Sequence, residues 1–208
     1  LLIFVNTMER RENNMTKTLY INKLINYTGK ELEPHWIYRN FDILGDAVIA
    51  FCGETNVPQS FMLDQTDILD KAYIYSPLML NFIIEHFDND LNLALYRQRL
   101  FLIGIKDELE QLGIPVVRRV EALYANNRKL TVSVASSSNV STLVHTGINI
   151  ETAGTPVKTA GLTELGVNDI QSFAENVMLR YQVELEQIYD ARCRIRGIIA
   201  GHSPRGAV

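Results

Sequence analysis

Residues 124–134 read Tyr-Ala-Asn-Asn-Arg-Lys-Leu-Thr-Val-Ser-Val, and this stretch decides the fold. Asn126-Asn127 is typical of a tight turn, because asparagine tolerates the left-handed backbone conformation. After the turn Leu130, Val132 and Val134 alternate with polar or small residues, as on a half-buried strand. The stretch predicts a β-hairpin with Arg128 and Lys129 just past its tip.

Further elements follow on both sides of this hairpin. Apolar alternation and β-branched residues predict strands, whereas Ser-Pro, Asn-Asp and asparagine caps followed by apolar residues at helical spacing predict helices. The expected strands are residues 18–25, 36–40, 46–52, 115–124 and 140–150, and the expected helices are residues 77–87, 89–112 and one that starts after Asn168 and runs to about Ile195.

Strands that follow strands, without crossover helices between them, favour an antiparallel sheet. We therefore predict an α+β fold, a mainly antiparallel sheet packed by helices. Residues 15–200 are expected to form one domain. Residues 1–14 are interpreted as a leader upstream of a start at Met15, and residues 201–208 as a loose tail.

Composition narrows the class of protein. The formal net charge of the 208 residues is −4, which disfavours a general nucleic-acid binder, since such proteins usually carry a basic face. No stretch reaches the roughly 18 to 20 apolar residues that a membrane span needs. Two cysteines without paired spacing indicate no disulfide framework. These features predict a cytoplasmic protein.

The basic residues at the hairpin are the first candidate site. Arg119 on one strand and Arg128 and Lys129 on another would place fixed positive charge near one turn. Arginine and lysine bind phosphate or carboxylate, so the cluster predicts an anion site. The alternative is a solvated sheet edge, where basic side chains discourage aggregation.

Acidic residues are the second candidate. Asp64 and Asp67 would share one helical face, where paired carboxylates bind Mg²⁺, although acids are also typical of a helix N-terminus. Asp46 follows Gly45 at the mouth of an apolar strand, so it is either a catalytic carboxylate or a turn cap.

His145 is the third candidate. It precedes Thr146-Gly147, where the bare glycine backbone would let a ligand approach. His86 ends an apolar segment with no second histidine near it in sequence, so we interpret it as structural.

Two resemblances rest on these residues. The chain resembles, from about Tyr20 to Arg196, a small prokaryotic family known as a conserved domain of unknown function. The shared segments are Gly45-Asp46, Met62-Leu63-Asp64, Gln98-Arg99-Leu100, Arg128-Lys129-Leu130 and Gly154-Thr155-Pro156-Val157.

Over residues 128–150 the chain is also similar to biotin and lipoate protein ligases, which have an Arg-Lys-Leu strand followed by a strand that ends in Gly-Ile-Asn. Here these are Arg128-Lys129-Leu130 and Gly147-Ile148-Asn149. The resemblance implies a ligase-like fold in which Lys129 matches the lysine that holds the acyl-adenylate. It makes ATP and Mg²⁺ the cofactors to test, with Gly147 and Asn149 beside the ligand.

Two hypotheses of function remain open. The first is a site for a small carboxylated or phosphorylated ligand beside Lys129, with acyl- or adenylyl-transfer chemistry. The second is a non-enzymatic interaction or dimerisation module that uses the last helix. An enzyme should gather Lys129, His145 and either Asp46 or Asp64 around one pocket, whereas an interaction module should leave them scattered.

Overall fold

The computed structural model describes residues 16–197, so the predicted leader and tail lie outside the described residues. Strands and helices are numbered in chain order. They are β1 Lys17–Ile21, α1 Trp36–Phe41, β2 Ala47–Val57, α2 Gln65–Leu69, β3 Ile74–His86, α3 Leu91–Gln111, β4 Val117–Arg119, β5 Ala122–Ala125, β6 Arg128–Lys129, β7 Thr131–Ser137, β8 Thr142–Glu151 and α4 Ile170–Arg194.

A five-stranded sheet in the order β1-β2-β3-β8-β7 forms the centre of the molecule. β1 runs parallel to β2, and the other neighbouring pairs are antiparallel. β4, β5 and β6 form a smaller antiparallel sheet. The prediction of an α+β fold with a mainly antiparallel sheet is confirmed.

The long helices α3 and α4 cover one face of the main sheet. Every second residue of the strands points to this face, including Phe82, which meets Phe101 of α3 at a centroid distance of 5.1 Å. Phe101 in turn packs edge-on against Tyr181 of α4 at 5.2 Å. All three aromatic rings are buried, so this face is a closed core.

The opposite face of the sheet is covered over only part of its width. Residues that follow β1 pack on β2, where Tyr27 and Ile37 join Ile49 and Phe51 in a second buried cluster. Beyond this cluster, toward β8 and β7, the face borders a cavity that is described below.

Residues 77–87 do not form the predicted helix, because they belong to β3. β3 lies in the middle of the sheet and is buried on both faces, so its sequence is a continuous apolar run without alternation. Pro77, which suggested a helix start, falls within the register shift toward β2 and lies before the first residue of β3 that pairs with β8, so it is paired with neither neighbour. A proline without a ladder hydrogen bond is tolerated there.

Residues 36–40 do not form the predicted strand, because they lie in the short helix α1. Both ends of α1 are closed by residues in the left-handed conformation, His35 (φ 62°) and Asp42 (φ 56°). Helical spacing puts Ile37 and Phe41 on one side of α1, and together with Trp36 they pack on the second buried cluster. This tertiary contact overrides the weak local preference for a strand.

Residues 115–124 form two strands, β4 and β5, rather than the single predicted one. Val120 breaks them with φ 51°. The turn at Asn126 and Asn127 is confirmed, since both residues have positive φ, 50° and 59°. The last helix is capped by Asp169, which accepts a hydrogen bond from the Ser172 N–H at 2.9 Å, one residue later than predicted.

In the part of the chain that the structure describes, no helix is both long and apolar enough to cross a membrane.

Candidate functional site

A cavity of about 500 Å³ lies on the sheet face opposite α3 and α4. Its floor is formed by side chains of three strands, Met79 of β3, His145 of β8 and Val132 of β7. The segment from Phe61 to Tyr75, which contains α2, forms a wall. Most of the lining is apolar or aromatic: Tyr27, Leu32, Val57, Phe61, Met62, Leu63, Ala72, Tyr73, Ile74, Tyr75, Met79, Ala122, Val132, Val134, Pro156 and Val157.

Lys129 lines the cavity, and both its backbone N–H and its backbone carbonyl are hydrogen-bonded. Its N–H donates to the Lys158 carbonyl at 3.2 Å, and its own carbonyl accepts the Ala160 N–H at 3.0 Å. Asn149 supports the next residue, because its side-chain amide donates to the Leu130 carbonyl at 3.2 Å. Within residues 16–197, no carboxylate forms a salt bridge with the Lys129 ammonium.

The two predicted arginines do not join Lys129 in the cavity. Arg128 forms a salt bridge with Glu164 at 2.7 Å. Arg119 donates to the Asn127 side chain at 2.7 Å and lies 4.8 Å from the centre of the Tyr124 ring. Because β5 lies between β4 and β6, Arg119 and Lys129 are two strands apart.

Three acidic residues line the cavity with Lys129, namely Asp64, Asp67 and Glu121. Asp64 caps α2, since it accepts the Thr66 N–H at 2.7 Å. Burial raises the pKa of Asp67, the charge of Asp64 raises it further, and the nearby Lys129 partly offsets both effects. Among residues 16–197 no group of three or more histidine, cysteine or acidic side chains is arranged to hold a metal ion.

Asp46 lies outside the cavity, in a hydrogen-bonded network with His86 and Tyr181. His86 contacts the Asp46 carboxylate at 2.7 Å through Nδ1 and the Tyr181 hydroxyl at 3.0 Å through Nε2. Burial alone would raise the pKa of Asp46, but the hydrogen bonds and charge of its neighbours, His86 first, lower it overall. The network ties the residue that precedes β2 to β3 and α4, which is a structural role for His86.

His145 forms part of the cavity floor and is buried. Its ring stacks on Tyr27 at a centroid distance of 3.7 Å and an interplanar angle of 10°. Its Nε2 lies 2.9 Å from Oδ1 of Asn81, an oxygen that only accepts, so Nε2 carries the proton. Burial lowers the pKa of His145 to about 3, so the ring is neutral near pH 7.

Gly147 shapes the floor without lining it. A Cβ atom at this position would lie 2.2 Å from the Met79 sulfur and 3.3 Å from a methyl of Val132. The glycine therefore lets the Met79 side chain lie flat across β8.

The structure thus brings together Lys129, His145, Asn149, Asp64 and Asp67 and leaves Asp46, Arg119 and Arg128 outside. Sequence reasoning missed Tyr27, Met79 and Ser133. Only Ser133 carried a signal, because it lies on the alternating strand that follows Lys129. Met79 was hidden by the prediction of a helix over residues 77–87.

Two relatives match most of the chain. The Uncharacterized protein MJ0805 of Methanocaldococcus jannaschii is 35% identical over 176 residues, which cover 82% of this chain and 80% of that protein. A Protein of Unknown Function from Pyrococcus horikoshi is 34% identical with a TM-score of 0.84, and the match covers 88% of this chain and all of that one.

Ligases are similar in fold alone. The Biotin protein ligase from Aquifex aeolicus in complex with biotin and ATP has a TM-score of 0.56 at 15% identity, covering 84% of this chain and 72% of the ligase. The Thermoplasma acidophilum protein Ta0514 with bound lipoic acid has a TM-score of 0.53 at 15% identity, covering 83% and 86%. The expectation of a ligase-like fold is confirmed.

The family model described as Domain of unknown function (DUF366) matches residues 16–196. This range includes all eight strands and all four helices of the described structure. The chain therefore belongs to the DUF366 family.

Proposed function

We propose that the cavity binds a small carboxylic acid with an apolar body and that Lys129 binds its carboxylate or an activated form of it. One observation carries the proposal: a lysine without a salt-bridge partner in the described part of the chain borders a largely apolar cavity of about 500 Å³. Cavities of about 300–1,000 Å³ with few polar groups are typical of small-molecule sites.

The positive charge of Lys129 explains how the carboxylate of such a ligand would be held in the cavity. Moving a carboxylate into an apolar site is unfavourable unless a cation or hydrogen bonds accompany it. The Lys129 ammonium supplies that charge, and the apolar side chains around Met79 and Val132 receive the rest of the ligand.

Asp64 and Asp67 add a requirement, because they border the same cavity and would repel a free anion. A divalent cation would remove this repulsion, and carboxylate oxygens are the ligands that Mg²⁺ prefers. We therefore propose that a nucleotide enters the cavity as its Mg²⁺ complex, and ATP is the first nucleotide to test. As a separate point, we propose that the protein works in the cytoplasm.

The reaction that fits is transfer of an adenylyl group. A carboxylate oxygen of the bound acid attacks the α-phosphorus of ATP, the bond to the β-phosphate oxygen breaks, and pyrophosphate leaves. Lys129 would stabilise the negative charge that develops in this step. Asn149 holds the backbone next to Lys129 in place, whereas Asp46, Arg119 and Arg128 receive no contact with the ligand in this proposal.

The experiment is a melting-temperature screen with octanoate, lipoate, biotin and ATP–Mg²⁺, singly and in pairs. A ligand at about a hundred times its dissociation constant stabilises by about 2.7 kcal/mol, which is roughly 5–10 °C for a domain of this size. Lys129→Gln should abolish the shift. Lys158→Gln is the control, because Lys158 is exposed, lies next to Lys129 through the backbone hydrogen bond and does not line the cavity.

A ligand shift that survives Lys129→Gln would refute the role of Lys129. A screen in which no acid and no nucleotide stabilises the wild-type protein would refute the proposal for these ligands.

A dimerisation surface is the second candidate. The outer side of α4 exposes two large apolar side chains one helical turn apart, Leu179 and Val183. Sedimentation of the wild-type protein against Leu179→Lys and Val183→Lys tests it, since a homodimer built on this surface should dissociate in the variants.

A further inference from the structure

A second, smaller cleft of about 250 Å³ adjoins the cavity. It lies at β7, the last strand of the main sheet, between this strand and α3. The cleft and the cavity share wall residues, among them Asp64, Glu121 and Ser133. A ligand that fills the cavity could therefore extend into the cleft.

Gln98 of α3 lines the cleft and is only 2% exposed. Its side-chain N–H donates to the Ser133 hydroxyl at 3.0 Å, and that hydroxyl donates to the His145 carbonyl at 3.0 Å. With its single hydrogen directed to the His145 carbonyl, Ser133 accepts from Gln98 and, at 2.8 Å, from the Thr146 hydroxyl. Gln98 Oε1 is then a buried acceptor with no donor among the described residues.

Arg99, the next residue, contributes a buried donor. Its Nη1 has no acceptor within the described part of the chain, whereas Nη2 lies 3.5 Å from the Glu121 carboxylate. Buried polar atoms are nearly always paired, and an unpaired one is destabilising. An acceptor and a donor thus stand unpaired on consecutive residues that line one cleft, beside Leu63 and Leu95. Both atoms are closed to solvent, so a ligand in the cleft reaches them only when the side chains around them move.

We propose that this cleft binds a planar group that carries an N–H donor next to a carbonyl or ring-nitrogen acceptor. The N–H would donate to Gln98 Oε1, and the neighbouring acceptor would receive the Arg99 Nη1–H. A nucleobase and a cyclic urea both present this pair, whereas a hydrocarbon chain or a carboxylate has no hydrogen to donate to Gln98. The inference deepens the proposed function, on which it rests for the rest of the ligand.

Two uncharged probes separate the cleft from Lys129: adenosine, which carries a nucleobase, and biotin methyl ester, which carries a cyclic urea. Their dissociation constants are measured for the wild-type protein, Gln98→Met, Arg99→Met and the control Gln171→Met, whose glutamine is exposed on α4. Loss of a buried hydrogen bond should weaken binding about 10-fold or more in the first two variants. The control should bind as the wild type does.

Adenosine binding that depends on Gln98 and Arg99 would assign the cleft to a nucleobase, and biotin methyl ester binding would assign it to a cyclic urea. Lys129→Gln should leave both unchanged, and Gln98→Met should leave octanoate binding unchanged. This keeps the test independent of the carboxylate site. Arg99→Met decides if Gln98→Met does not fold, which circular dichroism reports.

Failure of both probes to bind the wild-type protein would overturn the inference, because the cleft would then hold only water. Equal weakening of octanoate and of the uncharged probes by Arg99→Met would also overturn it, since the residue would then support the whole fold rather than this cleft. Either result leaves the carboxylate proposal to be judged by Lys129→Gln alone.

Discussion

The two faces of the main sheet are built from the same strands, yet one is closed and the other is partly open. On the face toward α3 and α4, Phe82 and Ile148 pack in a continuous core. On the opposite face, Met79 and His145 of the same two strands border a cavity. Alternation along a strand sends successive side chains to opposite faces, so one strand can serve both.

The difference lies in what covers each face. Two long helices, of 21 and 25 residues, cover the closed face. The open face is covered by a loop-rich segment around α2, a helix of five residues with no buried side chain. This short cover leaves room for a ligand, and the charged side chains of Lys129 and Asp67 border the cavity.

The largest expected effect is on the closed face. Phe82→Ala should lower the free energy of unfolding by about 3–5 kcal/mol, because it removes a buried ring and leaves a cavity in the core. Urea denaturation measures this change.

A pair of variants of equal size sharpens the comparison of the two faces. Val48→Ala on the closed face should lower the free energy of unfolding by about 2 kcal/mol or more, and Val132→Ala on the open face should lower it by about 1 kcal/mol or less. Equal losses of stability in Val48→Ala and Val132→Ala would contradict the difference between a closed and an open face.

The next effect concerns pH. Burial lowers the pKa of His145 from 6.5 to about 3, so below pH 6.5 the unfolded chain binds a proton that the folded protein does not. This histidine therefore makes stability fall as pH decreases, by about 1.5 kcal/mol between pH 6.5 and pH 5. His145→Gln keeps a side-chain donor for Asn81 but does not titrate, so denaturation curves of the variant should lose this part of the pH dependence. An unchanged dependence would show that His145 is protonated in the fold.

The last effect concerns Gly147. In Gly147→Ala the new methyl group would lie 2.2 Å from the Met79 sulfur, so this flexible side chain must move into the cavity. We expect a loss of about 1–2 kcal/mol in the free energy of unfolding and weaker ligand binding. Gly104→Ala on α3 is the control, because its nearest neighbour would be 3.4 Å away and helix propensity favours alanine by up to about 1 kcal/mol. If Gly147→Ala bound the ligand as tightly as the wild-type protein does, the position of the Met79 side chain would not affect ligand binding.

The sequence correctly predicted a turn and a helix start, because a few adjacent residues determine each of them. Asn126 and Asn127 adopt the left-handed conformation that their side chains tolerate, and Asp90 caps α3 at the predicted start. β3 was mistaken for a helix because a central strand has no solvent-facing side to produce alternation. Its neighbours in the sheet come from residues 47–57 and 142–151, and the sequence alone does not show this proximity.

The same limit applies to the candidate site. Lys129 was predicted from the basic residues at the hairpin and Asn149 from the resemblance to the ligases, and both line the cavity. Arg128 and Arg119 looked equivalent to Lys129 in sequence, but the position of β5 and the partner Glu164 turn them elsewhere. Tyr27 could not be assigned to the site, because its contact with His145 spans more than a hundred residues of chain.

Methyl spectra of the three methionines in the described structure test the central claim most directly. Met62 and Met79 line the cavity on the open face, whereas Met178 of α4 is buried in the core on the closed face. With ¹³C-methyl methionine, addition of octanoate and ATP–Mg²⁺ should shift the Met62 and Met79 signals and leave Met178 in place, and Lys129→Ala should remove the shifts. Shifts confined to Met178, or shifts at Met79 that persist in Lys129→Ala, would contradict the assignment of the open face as a carboxylate site held by Lys129.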